Sequence, residues 1–206
     1  MLQVLLMIAG VALFGVLHSV MASLDFKHRL VNIIGDKIAF YRLFYNFFST
    51  ILFFAILFVI PKSDNIVYEV SYPFDIVIFT IQVLAFIGLV WAAKSIDALE
   101  FIGIKQVIRY FNGTYRVEDL DESQDFRISG AYKCCRHPTY LFSILFIGAR
   151  PYMDETYLVL FLAGAIYFII GAYFEEKKLV KIYGDTYLRY KKNVPMFLPR
   201  FLIKKK

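Results

Sequence analysis

The sequence predicts an all-α integral membrane protein of about five transmembrane helices, ending in a C-terminal helical hairpin with cofactor-binding segments on the cytosolic side. Three observations predict it. Of the 206 residues, 59% are hydrophobic and 18% aromatic, more than a soluble domain carries. Four apolar stretches, Leu2–Ala22, 39–60, Phe74–Ala93 and 156–174, reach or approach the roughly 20 residues that cross a bilayer. Finally, 21 of the 23 Lys and Arg residues fall in alternate connections, as they do when one side of the protein faces the cytosol. Five crossings then place the amino terminus outside and the carboxyl terminus in the cytosol, in a bacterial inner membrane.

Taken in order, the first stretch carries His18 and Ser19 near its cytosolic end, and a loop with Asp25, Lys27, His28 and Arg29 follows. In the second stretch Arg42, Asn46 and Ser49 are spaced four and three apart, so they share one helical face. A polar stripe at that depth faces protein or a wet cavity rather than lipid. Arg42 taken alone reads equally well as an interfacial anchor whose stem lies along apolar surface. His18 alone reads as a satisfied buried histidine.

Residues 61–73 form an external turn with a short extended piece at 66–70, punctuated by Pro61 and Pro73. In the third stretch Gln82 reads as a packing residue and Trp91 as an interfacial one. Residues 94–130 are the long polar region; within it 98–111 has helical apolar spacing with Lys105 and Arg109 between, as in a helix lying along the membrane surface. One domain spans 1–206, with three helices in 1–93 and a cofactor-binding half in 94–206.

That half is organised by Arg136-His137-Pro138-Thr139-Tyr140. Pro138 suits the first turn of a helix, where its missing N–H costs nothing. The helix start offers free N–H groups and partial positive charge behind Arg136 and His137, a combination that favours an anion such as a carboxylate. The apolar run that follows, 139–149, covers only about 17 Å of a ~30 Å hydrocarbon core and needs tilt, extra residues or shielding by protein. After a turn at Pro151 and Asp154 the chain returns antiparallel, which brings Glu175 and Glu176 to the level of His137. Adjacent carboxylates repel, so a shared cation is expected beside them. Lys178 and Lys181 are structural candidates, and a bound ligand is another.

A ligand with a carboxylate and positive charges satisfies both halves, and S-adenosylmethionine has an α-carboxylate, an α-ammonium and a methyl sulfonium. No G-x-G-x-x-G pattern is present, so a soluble dinucleotide-type fold is not indicated. The net charge of +6 suits anionic lipid headgroups of the bilayer, and the sequence lacks the features of a nucleic-acid reader. Cys134 and Cys135 are adjacent and cytosolic, so free thiols are expected, and without spaced partner cysteines no metal site is.

The R-H-P-x-Y segment, the hairpin, the Glu-Glu pair, Tyr183-Gly184, Tyr187, Tyr190 and Val194-Pro195 through Pro199 together resemble the isoprenylcysteine carboxyl methyltransferase and phospholipid methyltransferase superfamily. Phe101-Ile102-Gly103-Ile104-Lys105-Gln106-Val107, Pro151-Tyr152-Met153 and Val194-Pro195-Met196 look most like its methanethiol S-methyltransferase branch. The resemblance covers residues 97–200. It implies cofactor contacts at Gln124, Asp125, Phe126 and Arg127, at Tyr132, at His137, Pro138, Thr139 and Tyr140, and at Glu175 and Glu176, with Arg136 alongside and Gly130 supplying the turn before Tyr132. Where relatives have Gly-Trp after the motif tyrosine this chain has Phe142-Ser143, and Gly148, Tyr157 and Gly171 replace a Trp, a His and an Arg. These departures bear on the acceptor more than on the cofactor.

The expected reaction is methyl transfer to a small thiol, methanethiol-like, or to a lipophilic acceptor. A thiol acceptor must lose its proton, because the thiolate is the nucleophile. Arg42 is placed to stabilise that thiolate, with His18 or Tyr45 relaying the proton. Two alternatives use other cofactors. A sterol-type reductase would bind NADPH, but that family has Asn before the motif tyrosine and an acidic residue soon after, where this chain has Thr139 and Leu141-Phe142-Ser143. A haem-dependent membrane isomerase would use His18 as an axial ligand.

Overall fold

The computed structural model describes residues 1–120 and 128–199. The element order is α1 (Leu2–Ala22), α2 (Leu24–Ile34), a 3-10 turn (Gly35–Phe40), α3 (Tyr41–Val59), β1 (Ile66–Glu69), α4 (Phe74–Ala93), α5 (Ala98–Ile102), α6 (Ile104–Phe111), 3-10 turns at Val117–Leu120 and Gly130–Lys133, α7 (Pro138–Gly148), β2 (Tyr152–Asp154), α8 (Glu155–Tyr183) and α9 (Asp185–Asn193). This is an all-α integral membrane architecture. Four stretches of helix, Leu2–Ala22, Leu24–Val59, Phe74–Ala93 and Glu155–Tyr183, are long and apolar enough to span a bilayer, and Pro138–Gly148 is a shorter apolar helix. Their outward side chains, among them Leu13, Phe47, Phe58, Phe79, Leu84 and Ile166, are exposed as lipid-facing residues must be. The chain divides into two compact units, Met1–Pro61 with Ile96–Asp125, and Lys62–Ser95 with Phe126–Lys206.

In the first unit α1 lies so close to α3 that a Cβ on Gly10 would come within 2.9 Å of Ile60 and 3.0 Å of Ile56. Tyr41 at the start of α3 donates its hydroxyl to Met21 O at 2.8 Å, tying the same two helices at their other end. Between them the segment read from sequence as a loop is helix α2. Ser23 caps it by accepting Phe26 N–H at 3.3 Å, and Asp25 sits in its first turn, both stabilising a helix start.

The stretch read as one surface helix is also different: it is two helices, α5 and α6, broken at Gly103. Gly103 has φ +107, and a Cβ there would stand 2.6 Å from Leu43 N. The break therefore lets the turn seat on the backbone of α3, which only glycine permits.

The second unit packs α4 and α8 on α7. That supplies the shielding that the short α7 needs. Gly88 of α4 makes room for the Phe142 ring, since a Cβ there would fall 2.4 Å from it. Gln82 of α4 donates to Phe146 O at 3.2 Å. At the far end the short extended piece is β1, paired antiparallel with β2, Ile66 opposite Asp154 and Glu69 opposite Tyr152. Asp154 then caps α8 by accepting Tyr157 N–H at 2.9 Å. At about 1.5 Å per residue, the 29 residues of α8 outrun a ~30 Å hydrocarbon core, so roughly two and a half turns project beyond it. Those turns carry Glu175 and Glu176. Beyond them α9 folds back, and Tyr187, Tyr190 and Val194 form a small core against Leu179, Val180 and Tyr183.

Candidate active site

The second unit brings three separated segments to one cluster. The chain before α7 is held by an extended stretch after α9, with Arg136 N–H donating to Pro195 O at 2.8 Å and His137 N–H to Met196 O at 3.0 Å. Pro138 then occupies the first helical position, and no side chain caps that helix start. Main-chain bonds thereby fix both basic residues at the mouth of α7.

Their side chains turn to the carboxylates of α8. Arg136 Nε donates to Glu176 Oε1 at 2.6 Å, and its Nη1 donates to Val194 O at 2.6 Å and Lys191 O at 3.0 Å, the carbonyls at the end of α9. A guanidinium there also complements the negative end of the helix dipole. His137, 5% exposed, lies with Nε2 3.3 Å from Glu176 Oε1 and Nδ1 3.5 Å from Glu175 Oε2. An imidazolium donates to both acids, whereas a neutral ring donates to one. Lys191 Nζ reaches Glu176 Oε2 at 2.7 Å. Tyr140 donates its hydroxyl to Glu175 Oε2 at 2.8 Å while its ring stacks between His137 and Phe168, with centroids 5.4 and 5.2 Å away.

The two acids are not equivalent. The Glu176 side chain is 4% exposed and carries two cations, whereas that of Glu175 is 44% exposed. Arg136, His137, Tyr140, Glu175 and Glu176 are thus all in contact, nearly forty positions apart along the chain. Pro138 is buried in the same turn, and Thr139 half-buried. Gly130 has φ +52, and its Cα comes so near Ser95 that a Cβ would stand 2.7 Å from the hydroxyl. Tyr132 follows in the 3-10 turn, where its carbonyl accepts from Tyr190 OH at 2.7 Å. Gln124, Asp125, Phe126 and Arg127 lie outside the described residues. Cys134 and Cys135 are free thiols, and burial pushes the Cys135 thiol up to about 11.

In the first unit His18, Tyr45 and Ser49 meet between α1 and α3. Tyr45 OH is 2.8 Å from His18 Nε2 and 3.1 Å from Nδ1, and Ser49 Oγ is 3.2 Å from Nδ1. Asn46 donates to Phe101 O at 2.9 Å and Ile102 O at 3.0 Å, so the polar stripe of α3 faces protein. Arg42, on that same stripe, adds its charge to the field at Glu100.

The Glu100 carboxylate takes both Nη groups of Arg109, at 2.9 and 2.8 Å, and the buried Gln106 amide at 3.0 Å. Arg109 chiefly, with Arg42 and Lys105, holds the Glu100 carboxyl below the usual carboxylate range. A carboxyl lowered in the folded state contributes stability that is complete above its ordinary unfolded value and is lost as pH falls through the lowered folded value. The unfolding temperature of the purified protein in detergent is therefore expected to fall on acidification across that window, and Glu100→Gln is expected to flatten the dependence.

Sequence reasoning missed Lys191 as the second cation on Glu176, the α9 carbonyls on Arg136, and Ser49 as a partner of His18. Only a four-residue spacing between Tyr187 and Lys191 placed that lysine on the inward face of α9. Tyr187 is 1% exposed, and its hydroxyl is raised by burial and by the charge of Glu176, with Arg136 opposing.

Comparison with curated proteins decides the family. Methanethiol S-methyltransferase of Pseudomonas deceptionensis is 32% identical over 190 residues, covering 92% of this chain and 70% of that protein. The chain belongs to the methanethiol S-methyltransferase family. Methanethiol S-methyltransferase 1 of Bradyrhizobium diazoefficiens is 30% identical over 91% of the chain and 64% of its own length. The Mycobacterium tuberculosis member is 25% identical over 90% of the chain and 74% of its own length. No family model and no solved structure matches. Coverage of the methanethiol S-methyltransferases reaches over nine-tenths of this chain, so both units fall within the family and not the α7–α9 segment alone.

Proposed function

We propose that this chain is an S-adenosylmethionine-dependent methyltransferase of the bacterial inner membrane, acting on a small thiol of the methanethiol kind. It would belong to the wider isoprenylcysteine carboxyl and phospholipid methyltransferase superfamily, with its amino terminus outside and α9 cytosolic. The observation that carries the cofactor assignment is the convergence of His137 and Arg136 on the acids of α8. The donor set suits the ligand. Glu175 and Glu176 are acids for its ammonium, while the uncapped start of α7 at Pro138 and Thr139 offers backbone N–H groups for its carboxylate. Tyr140 and Phe168 offer aromatic faces to a cationic or planar group. Tyr132 and Gly130 would add to the wall.

When bound, S-adenosylmethionine supplies a methyl group already activated by its positively charged sulfur. The protein's own task is then alignment and exclusion of water. Main-chain bonds from Arg136 and His137 to Pro195 and Met196 hold the cationic side in place. Removing the acceptor thiol's proton falls to His18, whose Nε2 lies 2.8 Å from the Tyr45 hydroxyl and whose Nδ1 is positioned by Ser49. Arg42 would stabilise the thiolate.

Calorimetric titration with S-adenosylhomocysteine tests the cofactor site. Wild type is expected to bind, and His137→Ala to lose most of that binding. Equal binding by both proteins would defeat the assignment. For the acceptor side, turnover of methanethiol by His18→Ala is expected to fall about 100-fold with adenosylhomocysteine affinity unchanged. Undiminished turnover would remove His18 from the mechanism.

A further inference from the structure

We propose that Lys191 is a tethered stand-in for the ligand's ammonium: its Nζ holds Glu176 Oε2 and is displaced when the cofactor's α-amino group arrives. This rests on the reading of the cluster as the cofactor site. Glu176 is 3% exposed, and a carboxylate so buried is costly without a cation. Its oxygens are divided between two cations, with Arg136 Nε 2.6 Å from Oε1 and Lys191 Nζ 2.7 Å from Oε2.

These cations are anchored very differently. The Arg136 side chain is 9% exposed and also bonds the carbonyls of Lys191 and Val194, so withdrawing it breaks three contacts at once. Lys191 is 44% exposed and sits on a flexible four-carbon stem, so its ammonium returns to water at little cost. It also lines an open surface depression with Asp185, Leu188, Arg189 and Lys192, which gives the released side chain somewhere to go. A ligand ammonium is the same chemical group, with the same three donors, so the exchange leaves the charge on Glu176 balanced throughout.

A tethered competitor acts at high effective concentration, roughly millimolar or more, and therefore weakens the binding of any ligand ammonium. Removing only the side chain should relieve that competition. The backbone carbonyl that Arg136 uses remains, so α9 keeps its docking.

The test is titration of purified wild type, Lys191→Met, Lys191→Gln and Lys191→Arg with S-adenosylhomocysteine and with its deaminated analogue, which lacks the ammonium. Lys191→Met is expected to bind adenosylhomocysteine about tenfold more tightly than wild type and the deaminated analogue no more tightly. Lys191→Arg, which keeps a cation on Oε2, is expected to show no gain; Lys191→Gln, which removes the charge but keeps a polar end, is expected to repeat the gain of Lys191→Met and decides the matter should the methionine variant fold poorly. Unchanged or weaker binding by Lys191→Met, an equal gain for both ligands, or an equal gain in Lys191→Arg overturns the displacement while leaving the site itself standing. Absence of adenosylhomocysteine binding in wild type and variants alike overturns the site reading, and the displacement falls with it.

Discussion

Glu176→Ala is expected to abolish adenosylhomocysteine binding and to destabilise the protein by about 3–5 kcal/mol, because it strands a buried guanidinium. Arg136 is 9% exposed, and its Nε lies 2.6 Å from the carboxylate that the substitution removes. Two carbonyls of the α9 end still accept from it, but neither neutralises it. The companion experiment separates stability from function. Arg136→Met combined with Glu176→Leu removes both charges at similar volume, and such replacements of buried pairs are often neutral. The double variant is therefore expected to recover most of the unfolding temperature in detergent while still failing to bind. If Glu176→Ala unfolds at the wild-type temperature, the pair is not the buried contact described above.

Gly103→Ala is the second large effect, and it belongs to the first unit. The residue has φ +107, where a Cβ costs roughly 1–2 kcal/mol, and its Cβ would sit 2.6 Å from Leu43 N. That neighbour is main chain inside α3 and cannot rotate away, so overpacking adds about 1–3 kcal/mol. Gly113→Ala is the control: φ there is +66, but nothing lies within 4 Å of the added atom. The unfolding temperature should fall for both, and clearly further at Gly103. Equal losses would mean that the close seat of α5 and α6 on α3 contributes nothing.

Where the apolar pattern was unbroken, the sequence was a sufficient guide: Leu2–Ala22 and Phe74–Ala93 are the bounds of α1 and α4. Mixed polarity hid α2. Asp25, Lys27, His28 and Arg29 suggested a loop, although Ser23 before Leu24 is a helix-start signal that the charges obscured. The break between α5 and α6 was visible as Gly103 inside a helical pattern, but its cause is the backbone of α3, which no local window contains. In the same way the pairing of β1 with β2 joins residues more than eighty positions apart.

The candidate site divides along the same line. Opposed charge at Arg136, His137, Glu175 and Glu176 could be read from motif and hairpin, because a short antiparallel turn fixes which ends meet. The assignment of Lys191 to Glu176 could not. Lys178 and Lys181 were nearer in sequence, and the position of Lys191 depends on α9 turning back at Gly184, whose φ is +52.

The clasp on Arg136 also imposes an order on biosynthesis. Its acceptors Lys191 O and Val194 O are translated 55 and 58 residues after it, and Pro195 and Met196, which take the main-chain N–H groups of Arg136 and His137, follow directly. The hairpin of α7 and α8 needs none of these residues to bring His137 to both acids. Until they arrive the guanidinium has neither carbonyl to hold, so the charged centre is completed only after residue 196 has left the ribosome.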